Sequence, residues 1–172
     1  KIFSKFSFAL ENRIRRQAIR QAVGFYRASN EARDVSVELA IISSHTALEA
    51  TVYYILEHMA GWSKKLSDDR RIAFSDKLRA AVAYLRIDAE IDTYSPSITK
   101  LISSTQNVND AFEALCYVRN KLVHQDQNYA PEGVQLHETW LVLQWLVEVL
   151  IFGICGYSGD LVDRRAYTGW VG

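Results

Sequence analysis

The chain has 172 residues, 49% of them hydrophobic and 23% charged. That mix is too apolar for a disordered segment, and the length suffices to bury about two-thirds of the unfolded surface around one core. Twenty basic residues balance twenty acidic ones, which excludes a protein drawn as a whole onto nucleic acid or an anionic membrane and makes any RNA site local.

Residues 1–172 read as one domain. The sequence opens on Lys1 without an initiator Met, and Lys1 to Phe6 lacks the apolar core of a signal peptide; the expectation is the C-terminal part of a larger protein. Only two prolines occur, and five of the eight glycines fall after residue 150, so most of the chain has few breakers and reads as helix upon helix. Phe3, Phe6, Leu10, Ile14, Ala18 and Phe25 recur at three- and four-residue steps and predict a first helix from Phe3 to Ala28. Arg13, Arg16, Arg20 and Arg27 form a neighbouring stripe, taken as a solvated edge that is also placed to touch phosphates.

Asp34 or Ser36 is placed to cap a second helix that stops at Gly61. Its Leu39, Ile41, Ile42, Leu48, Val52, Tyr53, Ile55, Leu56 and Met59 point nearly all round, the pattern of a helix surrounded by neighbours. His45, Glu49 and Glu57 lie close to one line and share an edge. Ser67-Asp68-Asp69 opens a third helical stretch with Ile72, Leu78, Val82 and Leu85 that ends before Tyr94. Ser95 or Ser97 then caps a short helix through Ile98 and Leu101, and Asn107 or Asn109 starts the next, with Phe112, Leu115, Val118 and Leu122. A loop from Gln125 to Gly133 follows. The last long helix, Val134 to about Cys155, is apolar beyond one packing face and predicts packing on two sides, a second copy being one way to supply the other side. Its apolar run is too short and too interrupted, by Gln144 and Glu148, for a membrane span. The tail from Gly156 to Val171 reads as irregular. The expected class is all-α: an up-and-down bundle of four to five main helices. Cys116 and Cys155 read as buried thiols, which with the missing signal predicts a cytoplasmic protein.

The segment Tyr117-Val118-Arg119-Asn120-Lys121-Leu122-Val123-His124 gathers a guanidinium, an amide, an ammonium and an imidazole within six residues. Asn120 and His124 stack one turn apart, whereas Arg119 and His124 diverge by about 140°. A site using both needs the helix to end near Val123, or two copies of the motif to meet across a two-fold axis. Metal-independent RNA cleavage needs a group to take the 2′-OH proton, a cation for the transition-state charge and a donor for the departing 5′-oxygen. Histidine does proton work near neutrality, and arginine offers a permanently charged fork matched to phosphate. Asn120 is placed to fix the His124 ring or bind a phosphate oxygen, and Lys121 adds charge or points to solvent.

This Arg-Asn-x-x-x-His element, together with Ala47-Leu48-Glu49-Ala50 and the tail Gly156-Tyr157-Ser158-Gly159-Asp160 with Asp163-Arg164, resembles the HEPN superfamily, and within it the ApeA-type domain of bacterial anti-phage effectors. The resemblance implies a helical bundle, a homodimer with a composite site, and endoribonuclease activity leaving a 2′,3′-cyclic phosphate, with tRNA a candidate substrate. It gives Arg119 and His124 the catalytic roles and Asn120 a supporting one; Glu49 is a further candidate. It also implies an upstream sensor or regulatory domain.

Other chemistries lack their residues. His137-Glu138 has no second His at metalloprotease spacing, no Cys/His cluster has zinc spacing, and no phosphate-binding glycine loop or nucleophile elbow is present. No metal or cofactor is expected. The rival class is a non-catalytic HEPN-like module that binds RNA or protein or dimerises, its motif serving to cap a helix; an inert bundle is a third.

Overall fold

In the computed structural model, residues 2–89, 91, 95–124, 126, 128–157, 159, 161, 163 and 165 are described, and among them the chain forms eight helices and no strand. The predicted first helix is two: α1 (Ile2–Ala9) and α2 (Arg13–Ala32). Asn12 makes the break. Its backbone is extended and its side chain accepts the Arg15 N–H at 3.0 Å, an N-cap that competes with helix continuation. The phase changes with it, so Ile19, Ala22 and Ser29 are buried while Ile14 and Phe25, expected inside, are 53% and 36% exposed.

Of the two expected caps, Ser36 starts α3 (Val37–His58), accepting the Leu39 N–H, and Asp34 does not. At the other end Gly61 has φ +77°, and the Trp62 N–H turns back to the Leu56 carbonyl at 2.8 Å. Eleven α3 residues are buried, as an all-round apolar helix requires, although Leu39 is 55% exposed.

The third stretch begins differently from its prediction. Ser67 closes α4 (Lys64–Ser67) with its hydroxyl in donor range of both the Lys64 carbonyl and the Glu57 carboxylate, which share its one proton, and Asp69 accepts the Arg71 N–H in the following turn. The acidic pair therefore builds a turn, and α5 (Phe74–Tyr84) starts from Ala73 with no side-chain cap. Helix α6 (Pro96–Ser104) has Ser95 at its cap position without a side-chain bond. The carboxylate of Glu138 accepts the Ser97 N–H instead.

After α7 (Ala111–Val123) comes α8 (Gly133–Ile154), with thirteen buried residues. The two-sided packing predicted for α8 is met within the chain, by α2 and α3 together with α6 and α7. Helices α3 and α8 are long and apolar enough to cross a membrane, yet 61% and 67% of their most apolar windows are buried in the bundle.

Where α2, α3 and α8 meet, a polar knot is sealed in the core. Ser29 Oγ accepts from Trp140 Nε1 at 2.9 Å and from Gln144 Nε2 at 2.8 Å, donates to the Ala40 carbonyl at 2.8 Å and lies 2.7 Å from Ser44 Oγ. The pairs Arg15 with Tyr54 and Ser29 with Ser44 show α2 running opposite to α3. Asn30 with Gln144 and Tyr26 with Glu148 show it running opposite to α8.

Beyond α8, Gly156 has φ +67° and the Tyr157 N–H returns to the Phe152 carbonyl. Of the tail motif, Ser158, Asp160 and Arg164 lie outside the described residues, as do residues 166–172. Arg165 pairs with Asp163 at 2.7 Å and stacks 3.5 Å from the Trp145 ring centre, which ties this part of the tail to α8.

Candidate functional site

The motif sits at the end of α7, so its position depends on how that helix starts. Neither Asn107 nor Asn109 caps it: Asn107 takes a left-handed turn at φ +65°, and the cap is Asp110, whose Oδ1 accepts the Glu113 N–H at 2.9 Å. Glu113 reaches back to the Asn109 N–H at 2.8 Å, a capping box displaced by one residue. Arg79 of α5 clamps both carboxylates, Nε to Asp110 at 2.6 Å and Nη2 to Glu113 at 2.8 Å, and also pairs with Asp76. Burial raises the Asp110 pKa, but Arg79 and the capped N–H groups outweigh it and hold it below the ordinary value. The Asn109 N–H and then Arg79 do the same for Glu113.

At the far end α7 stops at Val123, and His124 takes the C-cap position with its N–H on the Asn120 carbonyl at 3.0 Å and its side chain exposed. Arg119, half-buried, turns inward to α3. Its Nη1 donates to Asn120 Oδ1 at 3.1 Å and its Nη2 lies 3.6 Å from Glu49 Oε1. Its Nε–H is buried and meets no acceptor among the described residues. A half-exposed pair of this kind contributes about 0–1 kcal/mol, so what it mainly does is orient the guanidinium.

Glu49 also faces His45, one turn earlier on α3. The buried His45 Nδ1 lies 3.3 Å from the same Oε1, close enough for an ion pair but off the axis of a hydrogen bond. Burial raises the Glu49 pKa, and the His45 and Arg119 neighbours together bring it below the ordinary value. The other His45 ring nitrogen, Nε2, is 3.9 Å from Cys116 Sγ, and its ring packs on Phe74 at 4.9 Å. Burial pushes the Cys116 thiol up to about 12, which keeps it protonated and chemically quiet.

The structure thus joins Arg119, Asn120 and Glu49 directly. It does not bring the Arg119 and His124 side chains into contact with each other among the described residues. Asn120, expected to hold the His124 ring, uses its side-chain oxygen on Arg119. Lys121, expected to support the site by adding charge for RNA or else to face solvent, is half-buried, pairs with Asp126 at 2.5 Å and lies 5.2 Å from the Tyr117 ring centre. His45 and Cys116 were missed as neighbours of the motif; the four-residue step from His45 to Glu49 is the signal that placed His45 on the right edge. No group of three metal-ligating side chains occurs among the described residues.

What this arrangement can do is hold a partly exposed guanidinium against α3 near the end of α7, with an exposed imidazole at the C-cap of the same helix but not in contact with it. The sequence matches the family described as the YopA C-terminal domain over residues 12–172. The SPbeta prophage-derived uncharacterized protein YopA of Bacillus subtilis (strain 168) is 32% identical over 133 residues, covering 74% of this chain and 28% of that protein. The chain therefore spans under a third of that relative's length. No solved structure gives a significant match. With the family match running from Asn12 through the motif to the last residue, the chain belongs to the YopA C-terminal domain family.

Proposed function

We propose that this domain is a HEPN-like, metal-independent endoribonuclease in which Arg119 stabilises phosphate charge and His124 transfers the proton. The observation that carries the reading is the end of α7: Glu49 and Asn120 orient the partly exposed Arg119 guanidinium, while His124 occupies the exposed cap one turn beyond Asn120. In the proposed reaction a base removes the 2′-OH proton and the 2′-oxygen bonds to phosphorus. The P–O5′ bond breaks, and the 5′-oxygen leaves with a proton from an acid, giving a 2′,3′-cyclic phosphate. One imidazole serves as base or acid, and the guanidinium neutralises the extra charge on the non-bridging oxygens.

Because Arg119 and His124 diverge on their helix, a homodimer that places one subunit's arginine beside its partner's histidine completes the site. In this reading the bundle is HEPN-like, the protein is cytoplasmic, and an upstream region restrains the nuclease; a relative more than three times as long as the aligned stretch leaves room for one. A prophage-derived relative also suits a role in conflict with phage.

The test is incubation of the chain with RNA, tRNA included, in chelator. Arg119→Ala and His124→Ala are each expected to lose about 10²–10³-fold in cleavage rate while staying folded. Unchanged cleavage by both overturns the assignment. The second reading, a binding or dimerisation module, draws on the Glu49 contact, since an arginine already facing a carboxylate in its own chain also serves as a strut. RNA binding without product favours it.

A further inference from the structure

The zero net charge conceals a segregation. Residues 1–28 carry seven basic side chains and a single acidic one, so the remainder of the chain is correspondingly acidic. Most of that positive charge lies on α2. Arg13, Arg16 and Arg20 succeed one another at three- and four-residue steps, which puts them on one face within about 10 Å along the axis. Arg27, Arg33, Arg71, Arg79, Arg119 and Arg165 each have a carboxylate partner, whereas among the described residues these three have none within ion-pair distance, a state they share with Arg15, which bonds Tyr54, and with the separate Arg70 and Arg86. With Gln17 and Gln21 they line an open concavity of about 530 Å³.

From this charge distribution we propose that the outer face of α2 binds the phosphate backbone of single-stranded RNA, at a place separate from the Arg119/His124 site. Three unpaired guanidiniums supply forked donors for successive phosphates, and the two amides between them reach sugar hydroxyls or base edges. The face is distinct from the motif because α2 packs on α3 and α8, while α7 packs on α5 and α6 and on other parts of α3 and α8. The Ser44 side of α3 meets Ser29 of α2, and the His45 and Glu49 edge of α3 meets α7. A membrane surface suits this face poorly, since a helix lying in a bilayer needs an apolar sector to insert. Here the sector opposite the arginines is committed to the core through Ile19, Ala22 and Ser29, and the large apolar side chains that α2 leaves exposed, Ile14 and Phe25, are about three turns apart.

The choice of RNA over another polyanion rests on the proposed nuclease reading; the charge argument does not. The experiment uses the whole chain and a fluorescent 2′-O-methyl oligoribonucleotide, which offers no 2′-OH for cleavage, and follows binding against salt concentration. Losing three phosphate contacts lowers the slope of log affinity against log salt by about 2 for a single strand. The triple variant Arg13→Gln/Arg16→Gln/Arg20→Gln is expected to show that drop and to bind roughly tenfold more weakly. The charge-matched control Lys65→Gln/Arg70→Gln/Arg86→Gln is expected to keep most of the slope. Circular dichroism checks that both are folded, and Arg13→Gln and Arg20→Gln alone, each expected to cost about 0.7 in slope, stand in if the triple variant is not. An unchanged slope in the α2 variants, an equal loss in the control, capture by anionic vesicles without RNA binding, or no RNA binding at all overturns the proposal. Absence of cleavage of the unmodified RNA of the same sequence, with the binding pattern intact, overturns the nuclease reading alone.

Discussion

Replacing Ser29 with Ala removes one oxygen from the knot between α2, α3 and α8, and the cost follows from who loses a partner. Trp140 Nε1–H, in a side chain only 6% exposed, is left with no acceptor among the described residues. The fully buried Gln144 amide loses one of two acceptors and keeps Ser44 Oγ at 2.8 Å. Each stranded buried donor costs about 1–3 kcal/mol, so the two together cost about 2–6 kcal/mol, with little added by a void the size of one hydroxyl. For a domain of this length about 3 kcal/mol corresponds to a fall of roughly 6–12 °C in Tm. Ser44→Ala strands a single Gln144 N–H and should cost about half as much. Urea unfolding followed by tryptophan fluorescence measures both. A Ser29→Ala cost below about 1 kcal/mol, or a Ser44→Ala cost that exceeds it, would refute the accounting.

Asp110→Ala deletes the cap of α7 and is expected to cost about 1 kcal/mol, read as a lowered urea midpoint; a midpoint equal to wild type contradicts the capping role. Glu49, Asp110 and Glu113 all have folded pKa values below their ordinary ones. Their contribution is therefore complete above the ordinary carboxylate range and drains away as pH falls through and below it. The wild-type urea midpoint should drop on acidification through that window, and drop less in Asp110→Ala. With both thiols pushed up by burial, Cys116 to about 12, neither should react promptly with a thiol reagent at pH 8 until the chain is unfolded; rapid labelling of the native protein would count against this packing. On the proposed nuclease reading, Glu49→Gln, which keeps the shape but releases Arg119, is expected to lower RNA cleavage about ten- to hundredfold with less than about 1 kcal/mol lost in stability. Activity equal to wild type would show that the orientation does not matter.

Helix content was legible because periodicity and breakers are local signals. Ser36 and Gly61 mark the ends of α3, and its ring of apolar side chains marks burial on all sides. The first helix was misjudged at Asn12, where spacing alone carries Leu10 into Ile14 while a short amide takes the next helix's free N–H. Helix α5 announces itself poorly because Ala73 has no capping side chain, and the serine and aspartates before it build α4 and its turn. In the site, Arg119, Asn120 and His124 could be placed along α7 from their spacing. The Glu49 contact could not, since it joins residues 70 positions apart and depends on how α3 and α7 pack. The unpaired state of Arg13, Arg16 and Arg20 was equally invisible, because pairing is a property of the fold rather than of a helical wheel.

Helix α7 resembles a beam clamped at one end. Arg79, Asp110 and Glu113 fix its root, whereas at its tip His124 caps the last turn with an exposed side chain. Displacement in such a beam grows toward the tip, so Arg119, braced by α3, should wander less than the imidazole five residues on. On the proposed nuclease reading, the span between the two groups is then set by whatever docks against that tip, which would give a partner subunit or a bound strand mechanical authority over the chemistry without any change to the rest of the bundle.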